Sequence, residues 1–286
     1  MTLMDTVAVR VDRGAAPSDV VLGGRYRLGK QLGGGSEAYV KEAFDLQSGT
    51  TVAIKIFRAT EPANDAPFRR ELDIHGPLRH KNIAKVVSSG ATGGEDVHGR
   101  HNYLVMELIQ GQDLRTLLDE RPASPRQTME WMSGIARALT FLHRRGIVHN
   151  DIKPGNILVD FAGDPDGVGV AKLTDFGIAL NGRHSAPSSS SGTPHYLSPE
   201  EVCGGKSTAA SDIYSLGLVA LECLTGTKAF PGPPLESMVA RTLGEPRIPG
   251  TVRRRWSMVL HAMTDPDPAG RPSASQAVGM LRRLSW

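Results

Sequence analysis

The run His149-Asn150-Asp151-Ile152-Lys153-Pro154-Gly155-Asn156, followed by Asp175-Phe176-Gly177, gathers the groups that a phosphoryl transfer requires. Such a transfer needs a carboxylate to orient an attacking hydroxyl and accept its proton. It also needs oxygen ligands for Mg2+ and a cation near the moving phosphoryl group. Asp151 can supply the first, Asn156 and Asp175 the second, and Lys153 the third. The competing reading is a polar loop whose Asp and Asn merely cap turns. Each fixed residue type lowers the odds of a chance match about twentyfold, so that reading loses once all are counted together.

Two further stretches bear on phosphate. In Leu32-Gly33-Gly34-Gly35-Ser36-Glu37-Ala38-Tyr39-Val40, glycines let backbone N–H groups approach phosphate oxygens with no Cβ in the way. On its own the stretch reads first as a hairpin turn. Val52-Ala53-Ile54-Lys55 ends an apolar strand on a lysine, which by default snorkels to water. Glu71 gives it a second reading, because a Lys–Glu pair across strand and helix holds an ammonium group against α- and β-phosphates.

The elements that must position these residues fall into two textures. Residues 1–24 lack a sustained period and are expected to form a flexible arm. From Tyr26 to Lys41 the pattern is strand, glycine-rich turn, strand, and Thr51–Phe57 is a further strand. A helix is expected over Phe68–Leu78, stopping near Gly76-Pro77, then strands at Ile83–Ser88 and Asn102–Leu108. After Gly111 helices take over: Gln127–Arg145 with Trp131, Ile135, Leu139 and Leu142 on one face, and Asp212–Leu224. A last helix opens at the capping box Ser273-x-x-Gln276, with Val278, Leu281 and Leu284 on its inner face. Strands first and helices after imply an α+β fold with a small β-rich lobe followed by a larger helical one.

Composition narrows the function classes. The chain has 286 residues and a formal net charge of +3, too small to argue for nucleic acid, and Arg253-Arg254-Arg255 and Arg282-Arg283 read as solvated faces. Two cysteines without metal-ligand spacing argue against a disulfide framework or a zinc site and fit a reducing cytosol. The apolar run Ile213–Leu224 falls short of the ~20 residues that cross a bilayer. A cytoplasmic protein is expected, with no membrane anchor. No sensor domain is visible, so regulatory input is expected from a separate partner or from the N-terminal arm.

With these motifs in order over about residues 25–284, the chain resembles the eukaryotic-type protein kinase superfamily, in particular its bacterial serine/threonine members. The resemblance implies the two-lobed protein-kinase fold, with an N-lobe at 25–108 and a C-lobe at 109–286. It implies ATP and Mg2+ as cofactors and serine or threonine of a protein as the acceptor. Gly33, Gly34, Gly35 and Ser36 would cover the phosphates, and Leu32, Val40, Ala53 and Leu158 would sandwich the adenine. Met106 resembles the gatekeeper, Glu107 and Ile109 would offer backbone hydrogen bonds, and Asp113 resembles the ribose contact. Lys55 would pair with Glu71 and the phosphates. Asp151 would be the catalytic base, Lys153 would steady the γ-phosphate, and Asn156 and Asp175 would hold magnesium. Gly192–Glu200 is similar to the family's substrate-docking segment, and Thr193 to the threonine that bridges the catalytic Asp and Lys in serine/threonine kinases. Glu200 and Arg271 resemble the family's buried ion pair, and Asp212 and Gly217 match the helix supporting the catalytic loop.

Three departures carry expectations. Asn150 stands where an arginine normally receives an activation-loop phosphate, so activity is expected to depend little on that phosphorylation. The Ser188–Ser191 tract then reads as a solvated loop, or as an autophosphorylation site. Ala38 replaces the third glycine and Glu37 occupies the loop tip, which predicts weakened but retained nucleotide binding. Asp160–Val170 lengthens a hairpin; its aspartates suggest calcium less than a turn insertion, since the rest of an EF-hand loop is missing. From other classes, a pseudokinase scaffold and a small-molecule kinase remain as alternatives. The intact Lys55, Glu71, Asp151, Asn156 and Asp175 oppose the first, and Lys153 with Gly192–Glu200 opposes the second.

Overall fold

The computed structural model describes residues 20–35, 37–58, 65–92, 101–164, 166–177, 180–181 and 194–285. Period-two alternation of apolar and polar side chains builds the first region into strands. These are β1 (Val21–Leu22), β2 (Tyr26–Gly34), β3 (Ala38–Asp45) and β4 (Thr50–Phe57), then helix α1 (Ala66–His75), β5 (Val86–Ala91) and β6 (Asn102–Glu107). They form one antiparallel sheet in the order β1-β2-β3-β4-β6-β5. One apolar cluster of the sheet includes Tyr26, Leu28, Val52, Ile54 and Tyr103. A second packs Ala53, Phe57, Leu104 and Met106 against Phe68 and Leu72 of α1.

The second region runs through β7 (Gly111–Asp113), α2 (Leu114–Glu120), α3 (Pro125–His143), β8 (Ile147–Val148), β9 (Ile157–Asp160), β10 (Val170–Leu173) and β11 (Leu180–Asn181). Helices α4 (Pro199–Val202), α5 (Ala209–Thr225), α6 (Pro234–Leu243), α7 (Arg254–Met263) and α8 (Ala274–Arg282) follow. Its strands make a small sheet, β10-β9-β7, and a pair, β11-β8. The core centres on α3 and α5. Trp131, Ile135, Leu139 and Leu142 are buried as their spacing predicts, and nearly all of α5 from Ser211 to Cys223 is buried. Capping boxes start α3 (Ser124/Gln127), α5 (Thr208/Ser211) and α8 (Ser273/Gln276), satisfying N–H groups that a helix start leaves bare. Gly217 is demanded by packing, since a Cβ there would sit 2.7 Å from Thr264 Cγ2.

By contacts the chain divides into two compact units: one up to Arg79 together with Ala84–Ile109, the other His80–Ile83 and everything from Gln110. A β-rich unit and a larger helical one give the α+β architecture of the kinase fold. Several boundaries differ from the sequence expectation. Val21 and Leu22, read as arm, pair with Arg27 and Tyr26, and Leu22 is 7% exposed. The strand expected from Ile83 starts at Val86, because the Asn82 carbonyl accepts the Leu173 N–H at 2.9 Å and Ile83 bridges Leu173, both within the helical unit. Helix α1 ends at His75, and on α8 the buried positions are Ala274, Ala277 and Leu281, with Val278 half-buried.

Candidate active site

The loop after β8 is clamped from below by one carboxylate. Asp212, 1% exposed on α5, accepts the His149 N–H at Oδ2 (2.9 Å) and the Asn150 N–H at Oδ1 (2.9 Å), while His143 Nε2 lies 2.8 Å from Oδ2. The clamp holds Asn150 at φ 66°, a left-handed backbone that asparagine tolerates better than most side chains. His149 is fully buried. Its Nδ1 faces the Asp151 N–H at 3.3 Å and its Nε2 the Thr174 carbonyl at 3.2 Å, which together assign a neutral ring carrying its proton on Nε2. Burial pushes the imidazole below its usual range, opposed by the fields of Asp212, Asp151 and Asp175.

On this frame Asp151, Lys153 and Asn156 converge. Lys153 Nζ and Asn156 Nδ2 both donate to Asp151 Oδ2, each at 2.7 Å, and Asn156 Nδ2 also donates to the Asp151 carbonyl at 2.9 Å. One carboxylate oxygen is thus committed and Oδ1 takes neither bond. A hydroxyl can reach it, as the side chain retains 12% exposure. With its amide nitrogen spent on Asp151, Asn156 has its amide oxygen left for a cation. Asp175 follows β10 with φ 63°, and the next residue, Phe176, is fully buried edge-on against His149 at 4.8 Å between ring centroids. Asn156 and Asp175 are hard oxygen donors of the kind Mg2+ takes. Among the described residues no group of three His, Cys, Asp or Glu side chains that could hold a metal ion occurs.

The β-rich unit brings its own set together. Lys55 on β4 donates to Glu71 Oε2 of α1 at 2.6 Å, with the carboxylate side chain 1% exposed and the ammonium 13%. Between β2 and β3 the Gly35 N–H closes on the Ala38 carbonyl at 2.8 Å, and a Cβ built at Gly33 or Gly35 would meet nothing within 4 Å. That open backbone fits a phosphate. Glu37 is exposed and bonded to Arg58 N through its carbonyl. Ala53 and Met106 are register partners in one apolar cluster with Leu32 and Val40. Glu107 spends its N–H on the Lys85 carbonyl at 2.9 Å, and Ile109 is half-buried.

In the helical unit Asp113 and Leu158 are register partners between β7 and β9. Asp113 also caps α2, with Thr116 donating from its N–H (2.9 Å) and its hydroxyl (2.8 Å). Pro194–Glu200 is anchored at successive residues. The Tyr196 hydroxyl donates to Glu222 Oε2 at 2.6 Å and takes a bond from Arg115, which pairs with Glu222 Oε1 at 2.7 Å. Ser215 donates to the Tyr196 carbonyl at 2.6 Å, and His195 meets the Gly232 carbonyl at 3.0 Å. Arg271 holds Glu200 through two bonds of 2.8 Å.

The description of one family model, protein kinase domain, fits residues 26–280. This chain belongs to the protein kinase domain family. Relatives of the kinase domain include the probable serine/threonine-protein kinase PknB of Bifidobacterium longum, 41% identical over 73% of this chain and 31% of the relative. The serine/threonine-protein kinase PknA of Mycobacterium tuberculosis is 36% identical over 80% of this chain and 53% of its own length. PrkC of Bacillus subtilis, also a serine/threonine-protein kinase, is 37% identical over 82% and 35%. The kinase domain here therefore spans about a third to a half of these relatives. Among its described residues no helix is long and apolar enough to cross a membrane.

Each unit of the kinase domain gathers its share of the residues singled out from sequence. Ser36, Gly192, Thr193 and Ser188–Ser191 lie outside the described residues. The 160–170 hairpin is a turn: Asp164 accepts N–H groups of Asp166 (3.0 Å) and Gly169, and Trp131 donates to the Val168 carbonyl at 2.6 Å. Sequence reasoning missed His143, Arg115, Glu222 and Ser215. Their roles arise from contacts across the helical unit and leave no local pattern.

Proposed function

We propose that this kinase domain transfers the γ-phosphoryl group of ATP to serine or threonine hydroxyls of proteins. The observation that carries the proposal is the Asp151 carboxylate, one oxygen held by Lys153 and Asn156 and the other left for an acceptor. Asp151 Oδ1 takes the proton as the hydroxyl oxygen bonds to phosphorus; the bond from phosphorus to the bridging oxygen breaks, and ADP leaves with that electron pair. The Lys153 ammonium offsets charge developing on the transferred group. Lys55, oriented by Glu71, takes the α- and β-phosphates, and Gly33 and Gly35 leave the backbone of the loop open to them. Asn156 and Asp175 would hold Mg2+, which when bound neutralises phosphate charge. Protein as the acceptor is supported by the ordered segment ending at Glu200 and by the names of the relatives. A cytoplasmic site of action belongs to the same proposal.

Labelled ATP with a generic protein substrate tests it, beside Asp151→Asn. Transfer by the wild type, reduced by about a hundred- to ten-thousandfold in the variant while nucleotide binding persists, is expected. Equal background in both returns the domain to a scaffold.

A further inference from the structure

Arg241 on α6 is 1% exposed, yet among the described residues no carboxylate forms an ion pair with it. Its Nε donates to the Ser237 carbonyl at 3.1 Å, its Nη2 to Ser237 Oγ at 2.8 Å, and its Nη1 to the carbonyl of Leu197. The guanidinium lies over the Phe230 ring, 5.3 Å from its centroid. Burial pulls it down to about 10, with Tyr214, Glu201 and Tyr196 opposing from a distance. Taking such a charge out of water is costly, and the two Ser237 acceptors on its own helix do not require it to turn inward. The third acceptor does. Leu197 lies between Tyr196, whose carbonyl Ser215 holds, and Ser198, bound at 2.7 Å to Glu201. Arg241 thus completes the anchoring of this segment from a helix that otherwise has no bond to its backbone among the described residues. Asn150, meanwhile, provides no cation to receive a phosphate that would order the segment in another way.

We propose that Arg241 is a positioning residue for protein substrate: its guanidinium fixes the Leu197 carbonyl, and with it the backbone on which a peptide carrying the acceptor hydroxyl docks, with no phosphate needed on the chain. The proposal rests on the kinase function above and specifies how its substrate is held.

The test compares Arg241→Met, Arg241→Lys and Ser237→Ala in the full chain. Steady-state constants are measured for an acceptor peptide and for ATP, and amide hydrogen exchange over residues 196–200 in unphosphorylated protein. Arg241→Met is expected to raise the peptide KM about tenfold or more, with the ATP KM unchanged and exchange faster across the segment. Arg241→Lys, with one donor able to reach Leu197, falls between; Ser237→Ala, which spares that bond, stays near wild type. A peptide KM equal in all forms, or Ser237→Ala matching Arg241→Met, overturns the proposal. Should Arg241→Met fail to fold, Arg241→Lys carries the comparison. A wild type that labels no protein overturns the kinase function itself, whereas an active enzyme with unchanged exchange in the variants overturns the anchoring alone.

Discussion

Lys55 and Glu71 show what a single pair both provides and demands. The bond is 2.6 Å and the carboxylate is 1% exposed, so the ammonium that we propose for phosphate also compensates a buried negative charge. Lys55→Met is therefore expected to lower unfolding free energy by about 3–5 kcal/mol as well as activity, because a desolvated carboxylate loses its cation. Adding Glu71→Gln to that variant should recover part of the stability and none of the transfer. Urea denaturation of the two variants decides it, and equal stability of Lys55→Met and wild type contradicts it. Residue types in order were enough to find this pair, as they were for Asp151, Lys153 and Asn156. The division of labour between the two oxygens of Asp151 was not legible, since it depends on which atoms the neighbouring ammonium and amide reach.

At the level of elements, the segment Pro194–Glu200 is fixed by α2, α5, α6 and the turn at Gly232 through side-chain bonds. Replacing Ser188–Ser191 with alanine is expected to leave peptide phosphorylation within about twofold of wild type, given that Asn150 offers a phosphate no charge. Loss of most turnover in that variant would sink the expectation. Helix starts were readable because a capping box is local, as at Ser273 and Gln276. Strand ends were less so: Ile83 looked like the first residue of a strand, and only its bridge to Leu173, distant in sequence, takes it out of the sheet.

At the scale of the whole molecule, the ion pair Glu200–Arg271 ties the end of the segment Pro194–Glu200 to the chain before α8. The Arg271 side chain is fully buried and Glu200 is 18% exposed. Burial raises the Glu200 carboxyl, but Arg271 and the hydroxyls of Ser211 and Ser198 outweigh it, and the group ends below its ordinary 4.5. A carboxyl depressed on folding stabilises fully above its unfolded value and loses that contribution as pH falls through the lower folded one. Wild-type stability should thus drop from about pH 4.5 downward more steeply than that of Glu200→Gln. Glu200→Gln should itself cost about 3–5 kcal/mol at neutral pH by leaving Arg271 buried without its anion. Urea titrations from pH 3 to 7 check both, and parallel pH slopes would refute the first. The division into a sheet unit and a helical unit followed from the change of periodicity near Gly111, whereas the placement of Val21 and Leu22 in the sheet rests on partners across β2. The two cysteines differ in the same global way: Cys223 is fully buried, and its thiol is pushed far up by burial, while Cys203 is exposed immediately after α4. Under native conditions a maleimide dye should accordingly attach at one place, directly after the helix that carries Glu200, giving a fluorescent reporter on that segment without any change to the chain.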